Sequence, residues 1–532
     1  MERVVVIGSG LASVSAIKML VEKGIKPLVL DCGKRLPAQI EKKIERLSNI
    51  SLSEWTIDDR KEIMANPTIF NGSSYPKKLS FGSDYFYSTA LGENFPPSSQ
   101  AYGGFSTGWG SSSLPADNCD MIDWPIKQVD LLEHYKSILD TLPYSACDDG
   151  LSENFPLLSN KACPLRLSQA SQSLMQDMQK KSKTIKSKSA VFGQSRLLIE
   201  ARNGHKNECR YCGSCMSGCA YGSIYKASDD LSKLIDLKRV DYRPNIFVEK
   251  LIEGSSTVKI IFINEFGSLV SLECSRVFLG AGAVNSARII AESKEIYNQD
   301  IPLLSTLGFI VPMGRIKKTK LEWPNINTEP GIFMEYKVPR LSNHWVHSQL
   351  TPVNELALIK LGLIRNGRLA KSFFKKKLFE HLVIATCNMH SNHGVENSLR
   401  LNKNRETNTF QFFGGDIQKS KYCIKAAGRK LFSIMSSVGC YPILKLMSSS
   451  INSFSYHLGG SLPMKSQPTN ENHTNIWGCP KGWSKVHVID SSTFPSIPGT
   501  TVGLIAMANA RRIVNQTIIS NYSQPLSRLG LI

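Results

Sequence analysis

Two groups of residues in this chain have types and spacings that chemistry uses. The first is Gly8-Ser9-Gly10 with Ser13, reached from the apolar run Val4-Val5-Val6-Ile7 and followed by Leu28-Val29-Leu30-Asp31. A glycine at position 8 permits a tight turn, and one at position 10 lets backbone approach a pyrophosphate at the start of a helix. Ser13 stands where a third glycine or alanine is usual, and it is small enough for close helix–strand packing. Asp31 has the spacing of a carboxylate that accepts hydrogen bonds from a ribose. Strand, loop, helix, strand and acid in that order predict a dinucleotide site. They do not distinguish a nicotinamide from a flavin.

The second group is Cys209, Cys212, Cys215 and Cys219, spaced C-x2-C-x2-C-x3-C. That is the spacing of a bacterial ferredoxin run, although Ala220 replaces the usual proline. Three readings stay open: an iron–sulfur cluster, a zinc ion on tightly spaced thiolates, or a loop of reduced thiols.

The elements that must carry these residues follow from apolar periodicity. Strands are expected at 3–7, 27–30, 240–251, 276–279 and 486–490, with a hairpin over 257–272. Helices are expected over 130–145 and 170–182, from about 286, and over 502–515. Residues 36–100 read as loops and short helices over the site, because turn residues crowd them. A core strand that starts at residue 3 leaves no room for an export signal.

The chain has 532 residues, enough for two connected domains, with ordinary apolar (42%) and charged (20%) fractions. Its 13 cysteines, without an export signal, point to reduced thiols in the cytoplasm. The net charge of +20 needs a partner. Between Leu356 and Leu382, apolar residues alternate with Lys360, Arg365, Arg368, Lys371 and Lys375-Lys376-Lys377. This segment reads as a solvated surface helix or as an amphipathic one lying on the inner face of a membrane. An anionic, phosphate-linked substrate would also suit the charge. Nucleic acid does not fit, since basic and aromatic residues do not interleave.

Further pieces then line up: Gly103-Gly104-Phe105-Ser106-Thr107-Gly108-Trp109-Gly110, Trp124-Pro125-Ile126, and Val277-Phe278-Leu279-Gly280-Ala281-Gly282. The C-terminal pieces are His457-Leu458-Gly459-Gly460 and Val488-Ile489-Asp490, running through Pro495 and Pro498 to Ala506. With the N-terminal loop they resemble the glucose–methanol–choline (GMC) family of FAD-dependent oxidoreductases, in its cholesterol-oxidase-like and sugar-dehydrogenase-like branch. The resemblance implies an α/β fold with a Rossmann-like FAD-binding domain built from both chain ends. An inserted sheet-plus-helix (α+β) substrate domain would complete it. The FAD part would comprise 1–35, 98–125, 205–299 and 456–532. The substrate or cap part would comprise 36–97, 126–204 and 300–455.

The resemblance also assigns roles. Gly8, Gly10 and Ser13 would face the pyrophosphate of FAD, and Asp31 its adenosine ribose. Gly103, Gly104, Ser106, Trp109 and Gly110 would pass close to the flavin ring, and Val248 would meet the adenine. Ala281, Gly282, Asp490 and Val502 would complete the site, with Asp490 near the ribityl chain. Oxidising an alcohol needs its hydroxyl proton removed while hydride leaves the carbon, and histidine is the usual base at neutral pH. His457 occupies the family's base position. The family's second residue, His or Asn, is Thr501 here, whose hydroxyl would hold the substrate oxygen. His390, His393, His473 and His487 read as structural or surface residues.

The expected activity is oxidation of a hydroxyl on a sugar-like or lipid-linked alcohol, by a dehydrogenase in preference to an oxidase, with oxygen, a quinone and a protein all open as the electron acceptor. Some sugar dehydrogenases that look like this family hold an iron–sulfur cluster in the cysteine region. Two other readings stay open: an isomerase or epimerase that returns the hydride, and a non-catalytic flavin-binding assembly protein.

Overall fold

The computed structural model describes residues 3–36, 38–64, 67–70, 73–76, 96, 98–216, 218–352, 358, 364–365, 368–369, 377–404, 408–449 and 455–518. The basic segment 356–382 lies largely outside them. Among the described residues no helix is long and apolar enough to cross a membrane.

The continuous apolar runs near both chain ends meet in one five-stranded parallel sheet. Its order is Val486–Val488, Arg276–Leu279, Val4–Ile7, Leu28–Leu30 and Asp241–Arg243. Such runs suit strands covered on both faces. On one face the first helix, Leu11–Glu22, lies against the last, Gly503–Thr517, in a single apolar core with Tyr135, Ile138 and Leu139. Arg511 grips Glu22 with two hydrogen bonds, 3.0 and 2.6 Å, which fixes the two helices together across 489 residues of sequence. The α/β nucleotide-type sheet is therefore assembled from both ends of the chain.

Residues 240–251 form two strands rather than the single one expected. Asp241–Arg243 joins the parallel sheet, and Phe247–Glu253 starts a three-stranded antiparallel sheet. Pro244 cannot donate to a ladder, and Asn245 turns the chain at φ 58°. The helix expected from about 286 begins at Ala283. The helices at 129–141 and 169–180 match their expected places.

The inserted part is built on an antiparallel seven-stranded sheet. Its order is Cys440–Pro442, Leu307–Arg315, Leu382–Met389, Ser342–Pro352, Ile332–Val338 and Ala190–Gln194, with Ser448–Ser449 beside Leu307–Arg315. Successive side chains on a strand face opposite sides. One face presents Phe309, Val311, Ala385, Cys387, Val346 and Met334 to the helices Gln169–Lys180 and Gln418–Ser436. The opposite face mixes polar side chains with the buried rings of Phe333 and Trp345. Glu335, His347, Asn388 and Gly308 stand in one row across four strands, and Gln349 and Thr386 pair in the next row. This face looks toward 109–120 and the turn at 497–501. A Cβ on Gly499 would lie 2.8 Å from Asn388 O and 2.9 Å from Trp345 O.

Candidate active site

Gly8 takes φ 101°, and a Cβ there would lie 2.5 Å from Gly280 O. Only glycine fits that turn. Gly10 differs, since a Cβ on it would meet nothing within 4 Å. It heads the first helix, whose start has no side-chain cap and no acidic residue in its first turn. Backbone N–H groups facing open space at a helix start suit a pyrophosphate. The second glycine loop closes on the first: Gly103 N donates to Ser9 Oγ at 2.9 Å, and a Cβ on Gly104 would come within 3.1 Å of Gly10 Cα.

Several expected FAD residues hold the cradle itself. Ser13 Oγ donates to Gly280 O at 3.0 Å. Ser106 donates to Gly103 O at 2.6 Å and accepts from Ala227 N at 2.9 Å. Trp109 Nε1 donates to Tyr225 O at 2.8 Å. Gly110 faces Glu329, whose Oε2 would lie 3.0 Å from a Cβ there. Val248 is buried, and its carbonyl accepts from Arg288 at 2.6 Å. Ala281 N donates to Ser286 Oγ at 3.2 Å.

Asp31 ends the second strand and accepts from Tyr242 Oη at 3.1 Å. Burial pushes its carboxyl up to about 6, against the pull of hydrogen bonds from Ser9, Tyr242 and the Gly33 and Cys32 amides. Asp490 is also buried. Its Oδ2 accepts from Gly282 N at 2.8 Å and Ser286 Oγ at 2.6 Å, and its Oδ1 accepts from Ser492 N at 2.9 Å. Burial raises this carboxyl too. The last helix starts at Val502 without a side-chain cap, and a Cβ on Gly503 would strike Trp109 at 2.7 Å and Leu11 at 3.1 Å. Two uncapped helix starts thus meet beside the glycine loops, and the residues fit a dinucleotide flavin.

His457 stands just before the short strand Leu458–Gly459, which pairs with Leu304 and Ser305. Its carbonyl accepts from Thr306 N at 3.3 Å, and its amide donates to Ser455 Oγ at 3.0 Å. Thr306 lies two residues before Gly308, so His457 borders that mixed sheet face. The glycines that follow make room for the chain itself. A Cβ on Gly459 would lie 2.3 Å from Ser491 O, and one on Gly460 would lie 2.5 Å from Leu304. His457 as a residue is half-buried, and its Nδ1 is buried with no hydrogen-bond partner among the described residues. Burial, and after it electrostatic repulsion from the neighbouring His347 ring, lowers His457 to about 4. It is neutral at pH 7.

Thr501 sits in the turn expected, but its hydroxyl is committed elsewhere. Oγ1 accepts from Leu114 N and donates to Leu114 O, each at 3.1 Å. The unpaired hydroxyl of that turn is the buried Thr500 Oγ1, which has no partner among the described residues. His390 and His393 are buried, with His390 Nε2 3.2 Å from Asp120 O and His393 Nε2 2.8 Å from Ser342 Oγ. His487 stacks on Phe278, and His473 caps a surface turn at Thr469 and Asn470.

Among the described residues, no three His, Cys, Asp or Glu side chains gather as a metal site. Cys209, Cys212 and Cys215 are buried, and Cys219 is half-buried. Three of the four sulfurs have separate partners. Cys209 Sγ accepts from Asn327 Nδ2 at 3.5 Å, Cys215 Sγ from Thr328 N at 3.4 Å, and Cys219 Sγ from Ser223 N at 3.2 Å. Burial raises the Cys209 thiol. Cys215 and Cys219 line a small cleft with Ser106, Thr107 and Trp109, which sets the cysteine loop beside the second glycine loop.

The polar row Glu335–His347–Asn388 and its neighbour Gln349 carried no sequence signal. Glu335, His347 and Asn388 come from three different strands, with Gln349 two positions after His347 on the same strand, and only the strand register brings them together.

No family model matches the chain, and no curated protein matches it by sequence. Its fold does recur among solved structures. The crystal structure of pyridoxine 4-oxidase from Mesorbium loti superimposes over 97% of this chain and 99% of that one, with a TM-score of 0.57 and 12% identity. The chain therefore shares, from end to end, the fold of a structure described as a 4-oxidase of pyridoxine.

Proposed function

We propose that the protein is an FAD-dependent oxidoreductase of the GMC type that oxidises a hydroxyl group of an alcohol. One observation carries this reading. The uncapped start of the last helix lies against the Gly8–Gly10 loop, and the turn before it packs on the same sheet face that His457 borders. A flavin cradle and a histidine thus serve one cleft. The whole-chain fold likeness to an oxidase supports the same reading.

FAD bound there would supply a hydride acceptor. The chain's own residues do the rest. Asp31 would accept the ribose hydroxyls, and Gly10 would leave its helix start open to the pyrophosphate. Asp490 would pin Gly282 and Ser286 so that the two chain ends close on the nucleotide. His457 is neutral at pH 7, the residue is half-buried, and its Nδ1 has no hydrogen-bond partner among the described residues; it is the residue we assign to the hydroxyl proton. Thr501 would hold the backbone at Leu114 rather than the substrate oxygen.

For the cysteines we infer a loop of reduced thiols at the edge of the flavin site. Among the described residues no three of these side chains gather as a metal site, which supports this over an iron–sulfur or zinc centre. Purified protein should carry FAD, and anaerobic addition of a substrate alcohol should bleach it. Reoxidation by oxygen then separates an oxidase from a dehydrogenase. A protein that binds no FAD would end the proposal.

A further inference from the structure

The helix Gln418–Ser436 covers the outer face of the seven-stranded sheet, away from the flavin cleft. Its Cys423, Ile424, Ala427, Leu431, Ile434 and Met435 form one apolar stripe in the core beneath it. The stripe that faces water carries Lys421, Tyr422, Lys425, Arg429 and Phe432, all exposed. At 3.6 residues per turn these five fall within about 100° of the helix circumference.

The turn after the helix extends the same surface. A Cβ on Gly428 would meet Met447 Sδ at 3.0 Å and Leu444 at 3.4 Å, which lays this turn along the helix. The rings of Phe432 and Tyr441 meet with their centroids 6.5 Å apart. Tyr441, Ile443 and Leu446 are exposed here; Leu446 is 61% exposed and Tyr422, on the helix, 63%. Scattered apolar side chains on a surface need no explanation, but five grouped in one patch mark a binding surface.

The charges narrow the partner. Residues 417–449 include Lys419, Lys421, Lys425, Arg429, Lys430 and Lys445, and no Asp or Glu. None of the six has an ion pair among the described residues. Lys188 joins them: its Nζ donates to Ser433 O, and its charge, after burial, lowers Lys430. The carboxylates of Asp177 and Glu380, beyond the patch, are already held by Arg315, Lys317 and Lys318.

A partner for this surface must be anionic and must take in aliphatic as well as aromatic side chains. A second copy of the chain would set lysines against lysines across a two-fold axis. A nucleic acid would stack on the aromatic rings but has no use for the aliphatic Ile443 and Leu446. The headgroup zone of a bilayer serves both, with phosphates for the cations and the acyl boundary for the apolar side chains. We propose that this surface docks on a membrane rich in anionic phospholipid, through the helix Gln418–Ser436 and the turn 441–446. The flavin cleft, on the far side of the sheet, stays open to its substrate. The docking surface is separate from the basic segment 356–382 and holds whatever the flavin site oxidises.

The test is co-sedimentation of the full chain, as purified, with sucrose-loaded vesicles. One set is equal parts phosphatidylglycerol and phosphatidylcholine, and the other is phosphatidylcholine alone. Wild type should bind the first set and not the second, and raising the salt should weaken the binding. The triple variant Lys421→Gln/Lys425→Gln/Arg429→Gln should bind about 100-fold more weakly, at about fivefold for each charge. Tyr422→Ser/Leu446→Ser keeps every charge and should still lose about 10-fold or more. All five side chains are exposed, so both variants should keep the wild-type thermal midpoint. No binding to the anionic vesicles, equal binding to phosphatidylcholine alone, or wild-type binding by either variant would each overturn the proposal. So would a dimer that Tyr422→Ser/Leu446→Ser makes monomeric, or a single-stranded oligonucleotide bound more tightly than the vesicles.

Discussion

Thr501 Oγ1 lies 3.1 Å from both the amide nitrogen and the carbonyl oxygen of Leu114, accepting from one and donating to the other. The bonded positions are 387 residues apart in sequence, and both residues are buried. The hydroxyl thus ties the turn before the last helix to the segment after the second glycine loop. Thr501→Val should leave both Leu114 groups unpaired and cost about 1–3 kcal/mol of stability, read as a lower thermal midpoint. Thr501→Ser should keep most of it. Loss of turnover in Thr501→Val at an unchanged midpoint would return the hydroxyl to the substrate oxygen.

The two glycines of the first loop should fail in different ways. Gly8→Ala forces a side chain into φ 101° and against Gly280 O. It should cost about 1–3 kcal/mol even without FAD. Gly10→Ala meets no protein atom. Its FAD-free midpoint should stay within about 0.5 kcal/mol of wild type, while FAD affinity falls. Scanning calorimetry and flavin-fluorescence titration read the two effects separately. Equal FAD affinity in Gly10→Ala and wild type would remove the pyrophosphate from that helix start.

Asp31 makes FAD binding depend on pH. Its carboxyl titrates at about 6 in the folded protein, against an ordinary 3.8. Ribose hydroxyls need the ionised acceptor, so FAD affinity should weaken as pH falls below about 6. The effect on the FAD-free protein has the opposite sign. The folded state binds the proton more tightly, so this group adds stability as pH falls from about 6 to 3.8. Asp31→Asn should lower FAD affinity at pH 7 by about 10- to 100-fold and flatten this pH dependence. An unchanged pH profile in the variant would count against the assignment.

The cysteine loop is expected to yield free thiols. Anaerobically prepared protein should contain no stoichiometric iron, zinc or acid-labile sulfide. Cys209, Cys212, Cys215 and Cys219 should all react with a thiol reagent after denaturation. Three or four irons per chain with matching sulfide would replace the thiol loop with a cluster.

The parts that could be read from sequence are those whose chemistry is local. Gly8, Gly10 and Asp31 lie within one strand–helix–strand unit, and His457 sits in a short run with its two glycines. The single strand expected over 240–251 failed at Pro244 and Asn245, where a missing N–H and a left-handed residue outweigh the flanking apolar pattern. Thr501 was found by counting along a motif, but its hydrogen bonds depend on Leu114, far away in sequence. Glu335, His347, Gln349 and Asn388 could not be found at all. Each looks like an ordinary alternate residue on its strand, and only an antiparallel register across three strands gives them a common face.

The central claim is that His457 and the nucleotide cradle form one alcohol-oxidising site. Stopped-flow spectroscopy of the FAD-loaded protein, mixed anaerobically with its alcohol substrate, tests it most directly. Wild type should lose its oxidised-flavin absorbance in a single substrate-dependent phase. His457→Ala, loaded with the same amount of FAD, should do so about 10²- to 10⁴-fold more slowly. Flavin that bleaches in His457→Ala at the wild-type rate would contradict the account.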